Sequence, residues 1–292
     1  MSWCRLAILT DEVSQDLDEV IRFAKELKLD GIEVRSLFGR AFKDLTTADL
    51  QLIAAKARDA GLAIAGCASP VFKCDLDSPR QISEHIELFL RAVEAANLLG
   101  CDLVRVFTFL RRSHPATDGD LARAASHIPA LLDIVRGTGI RVGIENEASC
   151  IAGNGAETAE FMRHLPQSPE LGVVWDPCNC LYLEGGNDPI RDDFPLVAGR
   201  TIHVHIKDAR RDGTKPAQSC VELGTGQLDL PGHFRDLKMR GYRGWITLET
   251  HWRVVPLDAE TQHLPAGYGF SANAEPASRI CMGHMQRWVA EA

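Results

Sequence analysis

Short apolar runs alternate with longer amphipathic segments along almost the whole chain. The pattern is clearest at residues 201–207, where Ile202, Val204 and Ile206 fall on one face and Thr201, His203, His205 and Lys207 on the other. A period of two marks a strand. One face suits packing against helices. The other carries two imidazoles and an amine, which aim at a polar site. The same reading places further strands at 3–9, 31–35, 62–67, 102–107, 141–145, 171–175 and 244–249, and takes the 201–207 strand as 200–206. Amphipathic stretches between them predict helices at about 16–27, 47–60, 79–99, 119–136, 156–164 and 230–240, with a last one at 275–290 and a helical stretch opened by Asp188-Pro189. Thr46-Thr47 reads as a cap, and Gly61 and Gly100 as helix stops.

Eight strands, each followed by a helical segment and with no break in composition, predict one closed (β/α)8 TIM barrel as a single domain over residues 1–292. An open doubly wound sheet is the alternative, but no Gly-x-Gly-x-x-Gly follows the first strand. Two connections are long, 207–229 and 253–273; such loops serve as lids or partner surfaces. The second is the expected contact surface of a homodimer. A hydrophobic fraction of 45% and a charged fraction of 25% describe an ordinary soluble protein. The formal net charge of −8 argues against a nucleic-acid partner. The nine cysteines are scattered, and Cys178-x-Cys180 fits neither a zinc knuckle nor a redox motif. They read as reduced thiols. With neither a secretory leader nor an apolar run of about 18 residues, the expectation is a cytoplasmic protein that does not enter membranes.

In such a barrel the reactive groups stand at the C-terminal ends of the strands. Four consecutive ends are alike here: Glu145, Asp176, His205 and Glu249. Glu145 shares a face with Gly143, and Glu249 with Thr247, so both carboxylates point to the barrel mouth. Three carboxylates gathered in an apolar barrel repel one another unless a cation joins them. Taken singly, each is as well explained as a strand-end ion pair or helix cap; the four together point to a metal site. Three carboxylates and one imidazole suit Mn²⁺ first, then Mg²⁺, with Co²⁺, Fe²⁺ or Zn²⁺ also compatible. His203, one pleat deeper, reads as a hydrogen-bonded core residue. Lys207 either meets substrate or pairs with Asp208. Arg105 and Arg35 project inward, Arg35 alternatively pairing with Glu33 on the barrel floor. His251 covers the mouth beyond Glu249, and Glu222 belongs to a loop that closes over it.

Several segments carry a resemblance: Thr10-Asp-Glu-Val-Ser14, Gly31-Ile-Glu-Val-Arg35, Val104-Arg-Val-Phe107, Gly143-Ile-Glu-Asn146, Trp175-Asp-Pro-Cys-Asn179, His203-Val-His-Ile-Lys-Asp208, Gly224-Thr-Gly226 and the run from Gly241 to Glu249. In order and spacing the chain resembles the xylose isomerase-like superfamily of sugar phosphate isomerases and epimerases, which includes endonuclease IV. The resemblance implies a divalent metal held by Glu145, Asp176, His205 and Glu249. It also implies Glu145 and Glu249 as the acid and base around a metal-stabilised enediolate of a carbohydrate substrate. Loss of a β-hydroxyl from the same intermediate gives dehydration, so a lyase acting on a keto-sugar or keto-inositol is the alternative. Glu147 and Asn179 depart from the family, where His or other polar residues are frequent, and both are expected to touch substrate together with Arg105, Lys207 and His251. Endonuclease chemistry is the distant alternative. It needs further metal-ligating histidines and a basic groove, and Lys207-Asp-Ala-Arg-Arg-Asp-Gly213 supplies no histidine. A non-catalytic sugar binder is a third reading.

Overall fold

In the computed structural model, which describes residues 2–112, 115–255 and 271–292, eight parallel strands close into a barrel. They are β1 (Arg5–Leu9), β2 (Gly31–Val34), β3 (Ala63–Val71), β4 (Leu103–Val106), β5 (Arg141–Glu145), β6 (Leu171–Trp175), β7 (Thr201–Ile206) and β8 (Trp245–Leu248). Each pairs with its neighbours in the chain, and β8 closes the ring on β1. The barrel predicted from the alternation is therefore the barrel observed, and the open sheet is excluded. The main helices are α1 (Leu17–Glu26), α2 (Thr47–Asp59), α3 (Pro79–Leu99), α4 (Asp118–Ala125), α5 (Ile128–Val135), α6 (Gly155–Arg163), α7 (Leu230–Met239) and α8 (Ala274–Glu291).

The period of two divides each strand between two environments. Ile8, Ile32, Val104, Val142, Ile144, Val173, Val204, Ile206, Ile246 and Leu248 belong to one continuous core shared with the helices. Ala7, Ala65 and Trp245 form a separate apolar plug inside the barrel. Gly31 is required beside it: a β-carbon there would stand 2.3 Å from the Ala63 carbonyl oxygen and 2.8 Å from the Trp245 ring.

Three local expectations change. The single helix predicted over 119–136 is two helices, α4 and α5, because Pro129 lacks an N–H and its ring collides with the carbonyl one turn back; a new helix starts with that proline in its first turn. The stretch opened by Asp188-Pro189 is a five-residue π-type turn, Pro189–Asp193, followed by the short helix Phe194–Val197. The connection 207–229 is not open loop, since Asp208–Ala209 pairs antiparallel with Cys220–Val221. Glu222 in this connection meets His284 of α8 at 3.0 Å. Of the expected dimer surface, residues 256–270 lie outside the described residues, and Arg253 is buried against Glu12 at 3.1 Å. Among the described residues no helix is long and apolar enough to cross a membrane. All nine cysteines are free.

Candidate metal centre and active site

Four neighbouring strands deliver one donor each to the barrel mouth. Glu145 is the last residue of β5 and His205 lies on β7, while Asp176 and Glu249 immediately follow β6 and β8. One ligand atom from each of the four lies within 4.8 Å of the others. All are buried. His205 Nδ1 faces the carboxylates, 3.0 Å from Glu145 Oε1 and 3.9 Å from Glu249 Oε2. Asp176 is held by its own loop: Oδ1 accepts the Cys178 N–H at 2.9 Å, while Asn146 clamps its backbone through two 2.8 Å hydrogen bonds. Asn179 Nδ2 donates to the Asn146 carbonyl at 2.8 Å, so the Glu-Asn and Asp-Pro-Cys-Asn segments brace each other.

Protein cations fill the spaces between these acids. Lys207 is buried, donates to Glu249 Oε2 at 2.6 Å and also bonds Asp176. The alternative pairing with Asp208 does not form. Asp208 accepts backbone N–H groups of Ala209, Gly224 and Gly226 at 2.9, 3.0 and 3.0 Å. A β-carbon at Gly226 would fall 2.0 Å from its Oδ1, which explains the second glycine of Gly-Thr-Gly, while the first, Gly224, has a φ of +82°. Arg105 bonds Glu145 and donates to the Ser69 carbonyl at 3.0 Å. Arg35 does not pair with Glu33; it reaches Asp11 and Glu12 at 2.8 and 2.9 Å and also bonds Glu249. Glu33 pairs instead with His203 and His205. His203 is accordingly a buried, hydrogen-bonded residue, as its deeper position implied.

The proton affinities follow from these contacts. Burial pushes Glu145 upward, but Arg105 and His205 overcome it and hold the carboxyl at about 2. Burial likewise opposes ionisation of Glu249, yet Lys207, His251 and Arg35 keep it well below the usual carboxylate range. Asp176 behaves differently. Burial, joined by the charges of Glu249 and Glu145, raises it to about 7 despite Lys207. Burial would lower His205, but Glu33 and Glu145 raise it to about 10. Excess negative charge is thus offset by ammonium, guanidinium and imidazolium groups. A divalent cation fits this donor set by its chemistry, three hard carboxylates and one imidazole nitrogen, and would take over the charge balance that Lys207 and the His205 proton now supply.

Above the cluster opens a cavity of about 650 Å³. Glu145 and Glu249 line it, as do all five residues expected to touch substrate: Arg105, Glu147, Asn179, Lys207 and His251. His251 Nε2 lies 3.3 Å from Glu249 Oε1 and 3.2 Å from Glu12 Oε1. Asp176 and His205 lie beneath the cavity. Asp11, Glu12, Lys73 and Phe107 were given no role from sequence, although Asp11 and Glu12 buttress Arg35, and Lys73 and Phe107 line the cavity wall. The signal for the first two was present, since Thr10-Asp-Glu follows the end of β1 as the other acids follow theirs.

The family model for xylose isomerase-like TIM barrels matches residues 21–271. An inosose dehydratase of Serratia proteamaculans (strain 568) is 28% identical over 149 residues, which cover 46% of this chain and 48% of that protein. The chain spans about half the length of the curated relatives it matches. Two solved structures superpose on nearly the whole chain. The IOLI protein with a bound zinc atom does so with a TM-score of 0.75 at 16% identity, covering 98% of each chain. D-allulose 3-epimerase from Methylomonas sp. in complex with D-allulose gives 0.70 at 19% identity, again covering 98% of each. At these identities the superpositions establish the fold.

Proposed function

The chain belongs to the xylose isomerase-like TIM barrel family, and from that premise we propose a divalent-metal-dependent enzyme that moves a proton next to the carbonyl of a sugar or sugar derivative, as an isomerase or epimerase. The observation that carries this reading is the convergence of Glu145, Asp176, His205 and Glu249 beneath a cavity of about 650 Å³. These four residues would hold the cation, Mn²⁺ or Mg²⁺ by donor type. When bound, it supplies the Lewis acidity that makes a C–H beside a carbonyl removable.

The rest falls to the chain. Glu145 and Glu249 flank His205 Nδ1 and both reach the cavity, so one can take a proton from a substrate carbon while the other returns one. Arg105 and Arg35 aim the two carboxylates and favour the ionised form in the one that acts as base, while the other must carry the proton it returns. The Lys207 ammonium lies where a substrate oxygen gaining negative charge can be met. Glu147, Asn179 and His251 line the wall and read the remaining hydroxyls. Free cysteines throughout suit a reducing, cytoplasmic setting.

A second reading is favoured by the relatives: four curated proteins that the chain matches are inosose dehydratases. On it, the same proton abstraction is followed by departure of a β-hydroxyl from a keto-inositol or keto-sugar. Metal quantification followed by incubation with ketoses, aldoses and keto-inositols in D₂O separates the two. Deuterium α to a carbonyl with every oxygen retained supports the isomerase. A conjugated product lacking one water supports the dehydratase. Neither outcome, together with no response to any divalent metal, refutes both.

A further inference from the structure

One pleat below the metal centre, Glu33 sits between two imidazoles. Its Oε2 is 2.8 Å from His203 Nε2 and its Oε1 is 3.1 Å from His205 Nε2, with all three side chains fully buried. Thr247 Oγ1 lies 3.0 Å from the same His203 nitrogen, and Thr247 stands beside His205 in the β7–β8 register. His203 Nδ1 is buried without a partner. A buried N–H with no acceptor is costly, whereas a bare lone pair costs less, so the His203 proton belongs on Nε2 and is donated to Glu33. Each oxygen of Glu33 is then committed to one ring. An ionised carboxylate only accepts. The 3.1 Å contact therefore requires a proton on His205 Nε2 as well. The 3.0 Å contact of Nδ1 with Glu145 Oε1 holds a second proton in the metal-free chain, and that proton, on the nitrogen facing Glu145 and Glu249, is the one a cation would displace, while Glu33 retains the one on Nε2.

We propose that Glu33 is a positioning residue for the metal centre: it fixes the ring of His205 with the proton on Nε2, so that Nδ1 is offered to the cation, and His203 with Thr247 fixes Glu33 in turn. The role rests on the metal-dependent reading above. It follows from the chemistry of an imidazole ligand, which is useless to a cation when the proton sits on the facing nitrogen and more basic when the far N–H is held by a carboxylate. Glu33 is not among the residues lining the cavity, so it acts through His205 rather than on substrate. Glu33, His203 and His205 also place donor atoms within 4.8 Å of one another. A second ion bound there is the rival account, and the stoichiometry tests it.

The test uses the full chain, titrated with Zn²⁺ against a competing chelator, as wild type and as Glu33→Gln, with imidazole ¹⁵N spectra of the loaded forms. An amide cannot accept from both rings, so E33Q is expected to bind one ion about 10–100-fold more weakly and to lose the uniform Nε2–H form of His205. Equal affinity with an unchanged His205 signal overturns the role while leaving the metal reading intact. Two ions per wild-type chain, one of them lost in E33Q, overturn it in favour of Glu33 as a ligand. A wild type that binds no divalent ion removes the metal reading itself and the role with it. Should E33Q not fold, Glu33→Asp, whose shorter side chain cannot hold both rings, is titrated in its place: weaker Zn²⁺ binding with a broadened His205 signal supports the role, and wild-type affinity with an unchanged signal overturns it.

Discussion

The two carboxylates at the mouth are held in unlike ways. Glu145 has a short, closed set of partners: Arg105, itself fixed by the Ser69 carbonyl and stacked 4.3 Å over Phe107, and His205. Glu249 is a node. Lys207, Arg35 and His251 converge on it, and each is shared with another acid: Lys207 with Asp176, Arg35 with Asp11 and Glu12, and His251 with Glu12. Both sides reach one result, an ionised carboxylate in a buried place. On the Glu145 side the positive charge is local, while on the Glu249 side it can be redistributed among several acids when a cation arrives. A buried charge is affordable only with such partners, and removing one strands the rest.

The largest effects are expected at the two carboxylates themselves. Glu145→Gln and Glu249→Gln are each expected to lower turnover about 10³-fold, by loss of an acid–base group. They should differ in stability. E145Q leaves Arg105 without its acid and is expected to cost about 3–5 kcal/mol, E249Q less, because Lys207, Arg35 and His251 keep Asp176, Asp11 and Glu12; equal denaturation midpoints would show that the shared acids give no such protection. Chelation of divalent ions should abolish turnover, with recovery on addition of Mn²⁺ and none on addition of Na⁺. Next in size, Arg105→Gln is expected to cost about 10²-fold in kcat through misplacement of Glu145, and Arg35→Gln less, because Lys207 and His251 remain on Glu249. Steady-state kinetics on one substrate ranks the pair.

Protons provide a gentler probe of the same contrast. In the metal-free protein Asp176 holds its proton up to about 7 and His205 up to about 10, and a cation must displace both. Cation affinity should therefore rise with pH between 6 and 8, by about tenfold per unit for each proton released. For Asp176 the folded value lies above the ordinary one, so the folded chain binds more protons than the unfolded. Its contribution to metal-free stability should fall as pH rises from about 4 to 7, as denaturant unfolding in the presence of chelator can measure. The smallest effect is expected far from the mouth. Arg240 and Asp236, partly exposed at 2.9 Å, should tolerate Asp236→Asn within about 0.5 kcal/mol.

Much of the architecture was legible in order along the chain. Alternation over 201–207 placed His203 and His205 on the polar face, and the same parity pointed Glu145 and Glu249 inward. Both inferences need only the two-residue period of a strand, which is a property of neighbours in sequence. Pro129 was equally visible, and the break between α4 and α5 could have been read from it. Other features had no local signature. That Lys207 bonds Asp176 and Glu249 rather than the adjacent Asp208 depends on where β6 and β8 bring their ends. That Glu33 lies between two imidazoles, 170 and 172 residues away, depends on closure of the barrel.

Which residues share a face and which strand ends carry acids, and with them the kind of barrel and the chemical type of its mouth, are fixed by the order of residues along the chain. Only the tertiary structure decided who pairs with whom: Arg35 with Asp11, Glu12 and Glu249, Arg105 with Glu145, and Glu33 with both histidines. The reason is physical. Side-chain direction is set within a strand by covalent geometry, whereas a buried charge finds its counter-charge only across strands, after closure has removed water and left no other partner within reach.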